Sequence, residues 1–170
     1  MKSAVSNSGP LIHLAKVGAL HLIKIYDVVI PREVEREVVE VGKAKGYSDA
    51  FLIEKAIEDG WIEVVDVRVD DRFLEMAKVA GLHEAEIHIV YYAYKNRAIA
   101  LLDDEPARVF ARSLGVEVRG SLGLLIEGLK LGLIKYGEAI EKLNELARIM
   151  YLSADVYKLV LKELEKISRA

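Results

Sequence analysis

Ala98-Ile99-Ala100-Leu101-Leu102 runs without a break into Asp103-Asp104-Glu105-Pro106, and this junction decides the fold. Unbroken apolar succession suits a strand buried on both faces, as in a parallel sheet, whereas a half-exposed strand would alternate. Two aspartates end the run. Pro106 is tolerated in the first turn of a helix, so a helix is expected from 105 to 114, with Gly115 and the short strand Val116-Glu117-Val118 after it.

The same alternation extends upstream. Ala4-Val5 reads as a strand, Ser6-Asn7-Ser8-Gly9-Pro10 as a polar turn, and Leu11, Ile12, Leu14, Ala15, Leu20 and Ile23 recur at helical spacing. Tyr26 to Ile30 is a β-branched strand closed by Pro31, and Val34, Val38 and Val41 mark the helix behind it. Gly42 to Asp49 is expected to be a loop, with Ser48 or Asp49 capping a helix over 50–59. Ile62 to Val67 alternates as a strand, Asp70 to Ala80 reads as a helix stopped by Gly81, and Glu84 to Asn96 as another. From Ser121 the pattern is helical only: Leu122–Leu133, Gly137–Met150 and Ala154 to about Ser168.

Strands alternating with helices predict an α/β chain of three layers, α/β/α, with a mostly parallel sheet and a helical C-terminal tail. Residues 1–135 would form the α/β domain, and 136–170 would pack on it or at an oligomer interface. The stripe Leu122, Leu125, Ile126, Leu129 and Leu133 suggests a homodimer.

Composition narrows the function. The chain has 170 residues and no cysteine, which excludes disulfides, thiolate nucleophiles and thiolate zinc sites and fits a reducing cytoplasm. Asn7, Gly9 and Pro10 interrupt the short N-terminal apolar run before it could act as a secretion signal, and no stretch approaches the ~20 apolar residues of a membrane span. With 24 basic and 27 acidic residues the net charge is −3, so contact with a phosphate backbone needs a local basic patch or a metal. Abundant Lys and Glu resemble hyperthermophile usage.

Ligands of open parallel sheets bind beyond the carboxyl ends of the strands, and that position filters the acids. Asn7 follows the first strand, Asp103-Asp104 ends the most apolar one, Glu37 lies on the second helix, and Glu84 and Glu86 open a later helix. One aspartate can cap the helix at Glu105; two adjacent aspartates exceed that need and repel one another, which favours metal binding. Asp70-Asp71 reads as a cap. Glu84 and Glu86 lie about 200° apart around a helix and cannot both face one site, although a first-turn side chain can reach past the helix end. A carboxylate on the apolar stripe with Ile89, Val90 and Ala93 demands a partner or a metal, which favours Glu86 without dismissing Glu84. His13, His21, His83 and His88 have no metal-ligand spacing and read as surface or helix-end residues. A phospho-acceptor reading of Asp103-Asp104 fails because Ile62–Val67 ends in no exposed acceptor aspartate and the helical tail is foreign to receiver-like domains.

VSNSGPLIHLAKVGALHLI, VIPREVEREVV, HEAEIHIVYYA and LLDDEPARVFARSLGVEVRGSLGLL, in that order over about residues 3–135, resemble PIN-domain proteins of the toxin-like archaeal and bacterial branch. The resemblance implies a magnesium- or manganese-dependent ribonuclease acting on RNA, often paired with an antitoxin protein. It places the first family acid at Asn7, the helix glutamate at Glu37, the third acid at Glu84 or Glu86, and the strand-end acid at Asp104 beside Asp103. Ser8 matches a hydroxyl residue lining such sites. Asn7 departs from the usual aspartate, and its amide oxygen can ligate without contributing charge; the alternative to a nuclease is a weakened or inactive PIN-like module that binds RNA or protein.

Overall fold

β1 (Ser3–Ser6) occupies the centre of a five-stranded sheet ordered β3-β2-β1-β4-β5 in the computed structural model, which describes residues 1–170. Every pairing is parallel. The sheet runs outward on one side through β2 (Asp27–Pro31) and β3 (Ile62–Val65), and on the other through β4 (Ile99–Leu101) and β5 (Val118–Arg119). The chain reverses its direction of travel across the sheet between β1 and β4, the place where an open α/β sheet leaves a crevice. Ser6 pairs with Leu101, and the Asn7 N–H donates to the Leu101 carbonyl at 3.1 Å, so Asn7 and the aspartates leave neighbouring strands at the same end.

The two central strands are buried throughout their apolar residues because helices cover both faces. α1 (Ser8–Lys16) follows β1, and the 3₁₀ segment Leu20–Ile25 carries the chain to β2. α4 (Ser48–Glu58), α5 (Asp71–Val79) and α6 (Glu84–Asn96) precede β4, while α7 (Glu105–Ser113) joins β4 to β5. The three-layer parallel architecture expected from the sequence is therefore present.

Several boundaries differ from expectation. β3 stops at Val65 rather than Val67, and β5 is Val118–Arg119 rather than 116–118. Val116 instead closes the end of α7, its N–H donating to the Ala111 carbonyl at 3.0 Å. Residues 42–44 are helical rather than loop, and α4 starts at Ser48 with Tyr47 in the cap position, so neither Ser48 nor Asp49 caps it. Asp70 does cap α5, accepting from the Phe73 N–H at 2.8 Å.

A helical rod over 32–44 follows β2. It consists of α2 (Arg32–Glu35), a π-helical segment Arg36–Val41 and α3 (Gly42–Ala44). Val34 and Val38 bury one side of it, and Gly42 meets α4 so closely that a Cβ there would lie 2.8 Å from the Ala50 Cβ.

α8 (Ser121–Lys130), α9 (Tyr136–Ile149) and α10 (Ala154–Arg169) complete the chain. Leu124, Leu125, Ala139, Leu143, Leu146, Val160 and Leu164 belong to the same apolar cluster as the sheet residues. The stripe expected to mediate pairing is largely engaged within the chain: Leu125 is buried, Leu122, Ile126 and Leu129 pack against the core, and only Leu133 is exposed. No helix is long and apolar enough to cross a membrane.

Candidate functional site

The two adjacent aspartates beyond β4 have different fates. Asp103 turns inward, its side chain 11% exposed, with Oδ2 2.7 Å from His13 Nδ1. Ser121 donates its N–H to Asp103 Oδ1 at 2.7 Å and its hydroxyl to Oδ2 at 2.6 Å. Gly120 makes room, since a Cβ there would lie 2.7 Å from Asp103 Oδ1. Burial pushes the Asp103 carboxyl up, but the bonds from His13 and Ser121 outweigh it and hold the group below the usual carboxylate range. Asp103 thereby ties α1, β4 and α8 together, with both oxygens already engaged.

Asp104 faces outward. It occupies the N-cap position of α7 without a capping bond, so the capping alternative fails for this residue as for Asp103. Glu86 approaches it from the first turn of α6. Glu86 is 6% exposed, and its Oε1 accepts the His83 N–H at 3.0 Å, the reach past the helix end that a first-turn side chain permits. Burial raises the Glu86 pKa, the His83 N–H opposes that, and the neighbouring Asp104 carboxyl raises it further. Glu84 is exposed, and its backbone carbonyl lies 2.7 Å from His88 Nδ1. Of the two glutamates, Glu86 is the one beside Asp104.

Ser8 and Glu37 form a second polar unit, the buried Ser8 hydroxyl donating to Glu37 Oε2 at 2.8 Å. Asn7 stands between β1 and α1, half-buried, with no side-chain cap to the helix it precedes.

No three carboxylate or imidazole groups converge in metal-holding geometry. The donors that remain are the Glu86–Asp104 pair and the Asn7 amide oxygen. All are hard oxygens, and magnesium takes one or two carboxylates while completing its sphere with water and phosphate. A dication would also offset the burial and the neighbouring Asp104 carboxyl that together raise the Glu86 pKa. The donor set fits a sparsely held hard ion.

A family model described as "PIN domain" matches residues 3–166. The chain belongs to the PIN-domain family. Among solved structures it resembles a PilT N-terminus domain protein from the hyperthermophilic archaeon Sulfolobus solfataricus P2, with a TM-score of 0.52 and 20% identity over 75% of this chain and 93% of that one. At that identity the likeness speaks for the fold alone. No curated protein matches the sequence. PIN domains are in general nucleases and typically use divalent metal.

Two participants were not singled out from the sequence. His13 was read as a surface or helix-end residue, yet it meets Asp103. Ser121 lies 18 residues beyond Asp103 and carries no motif of its own.

Proposed function

We propose that this PIN-domain protein is a cytoplasmic, Mg²⁺- or Mn²⁺-dependent endoribonuclease, the toxin of a toxin–antitoxin pair. The buried Glu86 carboxyl set against the exposed Asp104 carboxyl at the sheet's switch point carries the reading. In this scheme Glu86 and Asp104 hold the ion, with Asn7 lending an amide oxygen. A divalent ion there would acidify an attacking water and stabilise charge on the scissile phosphate. Ser8 holds Glu37 by its 2.8 Å hydrogen bond, fixing a carboxylate on the π-helical segment. Asp103 positions its neighbour rather than ligating. Glu84 takes no part.

Incubating the protein with structured RNAs in manganese, magnesium or EDTA tests the reading. Cleavage that EDTA abolishes supports it, and no cleavage under any condition overturns it. Asn7 favours the second reading, a weakened or inactive module that binds RNA or protein, because its amide brings no charge where the family's first acid stands. Asn7→Asp is expected to raise manganese affinity about ten- to a hundredfold, on the scale of the roughly 1–3 kcal/mol of a charged hydrogen bond, with cleavage rising in parallel. Calorimetry showing no manganese binding by either form would leave the binding-module reading.

Glu86→Gln should move stability the opposite way from activity. A carboxyl whose pKa is raised in the fold disfavours the folded state as pH climbs through the window above the ordinary value of 4.5. The variant should therefore melt higher than wild type at neutral pH without metal, on the scale of about 2–4 °C per kcal/mol for a chain of this size. The difference should close in acid. A variant melting lower at pH 7 would reject the buried-pair account.

A homodimer remains part of the proposal, but the stripe on α8 cannot form it unaided. Pairing would have to use Leu131, Leu133 and Leu159, which stay exposed. Light scattering that finds only monomer over a wide concentration range would remove it.

A further inference from the structure

At the end of the sheet opposite the crevice, a cavity of about 540 Å³ opens where β1, β4 and β5 begin. Its floor is apolar, formed by Ala98, Ile99 and Val116, each of them buried. Tyr94, 49% exposed, also lines it, and Lys2, Arg97 and Glu117 supply its charges. An apolar cavity of this size with a few charged groups around it is the usual form of a small-molecule site.

The charges do not balance. Glu117, the only acid among the lining residues, is held from outside the cavity by Arg119 at 3.1 Å and reaches Lys2 at 3.8 Å. None of the chain's ion pairs includes Arg97. The two lining cations thus face one carboxylate that a third cation already occupies, in a protein whose net charge is −3. The missing countercharge favours an anion.

Arg97 ends α6 at φ 52°, its N–H donating to the Ala93 carbonyl. Glycine closes a helix in this left-handed conformation with less strain, and six glycines take the chain's other such positions apart from Tyr151. An arginine carries strain that the helix end does not require, and what it adds over glycine is a guanidinium at the cavity. A guanidinium binds phosphate oxygens in pairs, and a tyrosine ring suits a flat aromatic partner.

We propose that this cavity binds a free nucleoside monophosphate, its phosphate on Arg97 and Lys2 and its base against Tyr94. The site lies at the far end of the sheet from Glu86 and Asp104 and does not depend on the nuclease reading. The test is calorimetric titration of the full chain with AMP, GMP, CMP and UMP in EDTA, beside the four nucleosides and inorganic phosphate. At least one nucleotide should bind, and its nucleoside and inorganic phosphate should each bind about tenfold or more weakly, since each keeps only part of the contacts. Arg97→Gly should weaken nucleotide binding about tenfold or more, the scale of a hydrogen bond to a charged group. It should melt no lower than wild type, so that lost affinity cannot be ascribed to unfolding. Tyr94→Ala should weaken binding about fivefold or more, as loss of a stacking partner does. Asp104→Asn, altered in the crevice, should stay within about twofold of wild type. Wild type that binds no nucleotide, a nucleoside or phosphate that binds as tightly as the nucleotide, or Arg97→Gly binding as wild type does would overturn the proposal. Loss of binding in Asp104→Asn would overturn it too, by placing the nucleotide in the crevice. If Arg97→Gly loses the nucleotide and no form of the protein cuts RNA, the nuclease reading fails and the cavity stands.

Discussion

Asp103→Ala is expected to lower the unfolding free energy by about 3–5 kcal/mol, the usual loss when one partner of a buried charged network is removed. Three hydrogen bonds end on this carboxylate, from two elements far apart in sequence, and its side chain is 11% exposed. The substitution leaves the Ser121 N–H at the start of α8 without an acceptor and His13 without a partner, and it opens the space that Gly120 keeps free. Because the folded-state pKa of Asp103 lies below its ordinary 3.8, its contribution is present above that value and lost as pH falls through the folded pKa. Urea unfolding should accordingly show the full gap between wild type and variant near pH 7 and a narrower one near pH 3. Equal stabilities at pH 7 would remove Asp103 as an anchor and return it to the list of metal ligands.

The second large effect belongs to its neighbour. Asp104→Asn should abolish metal-dependent cleavage, a fall of about 100-fold or more, since loss of a mere outer-shell partner already costs roughly 10–100-fold. Stability should change little, because Asp104 is exposed and makes no capping bond. Adjacent residues thus separate folding from chemistry. Manganese calorimetry, RNA cleavage and urea unfolding on both variants would show the contrast. An Asp104→Asn protein that binds manganese and cuts as wild type does would sink the pair as the metal site.

The sheet was legible because Ala98–Leu102 is apolar at every position and the central strands need no alternation. The edge was not: the expected strand ran over 116–118, while the backbone pairing that defines β5 depends on the register with Ala100 and Leu101. Position along the chain identified the carboxylates, but not their directions. Asp103 turns inward because His13, 90 residues earlier, and Ser121 await it, and nothing local to Asp103-Asp104 records that. Glu86 was favoured by its apolar neighbours, and the return bond to the His83 N–H shows how a first-turn side chain reaches the crevice.

The π-helical segment Arg36–Val41 behaves like a splice. Its front end is pinned by Val34 and Val38 in the core, its far end by Gly42 against Ala50, and a surplus residue between two fixed points can only be absorbed as wider winding. Each helical residue subtends roughly 100°, so the same residues wound as plain α-helix would turn the two ends against each other by about that angle. Either Glu37 would swing away from the Ser8 hydroxyl or Gly42 would leave its place against Ala50. The carboxylate's aim is thus stored in the length of the chain as well as in its chemistry, because the wide turn takes up the surplus residue and lets both ends keep their partners.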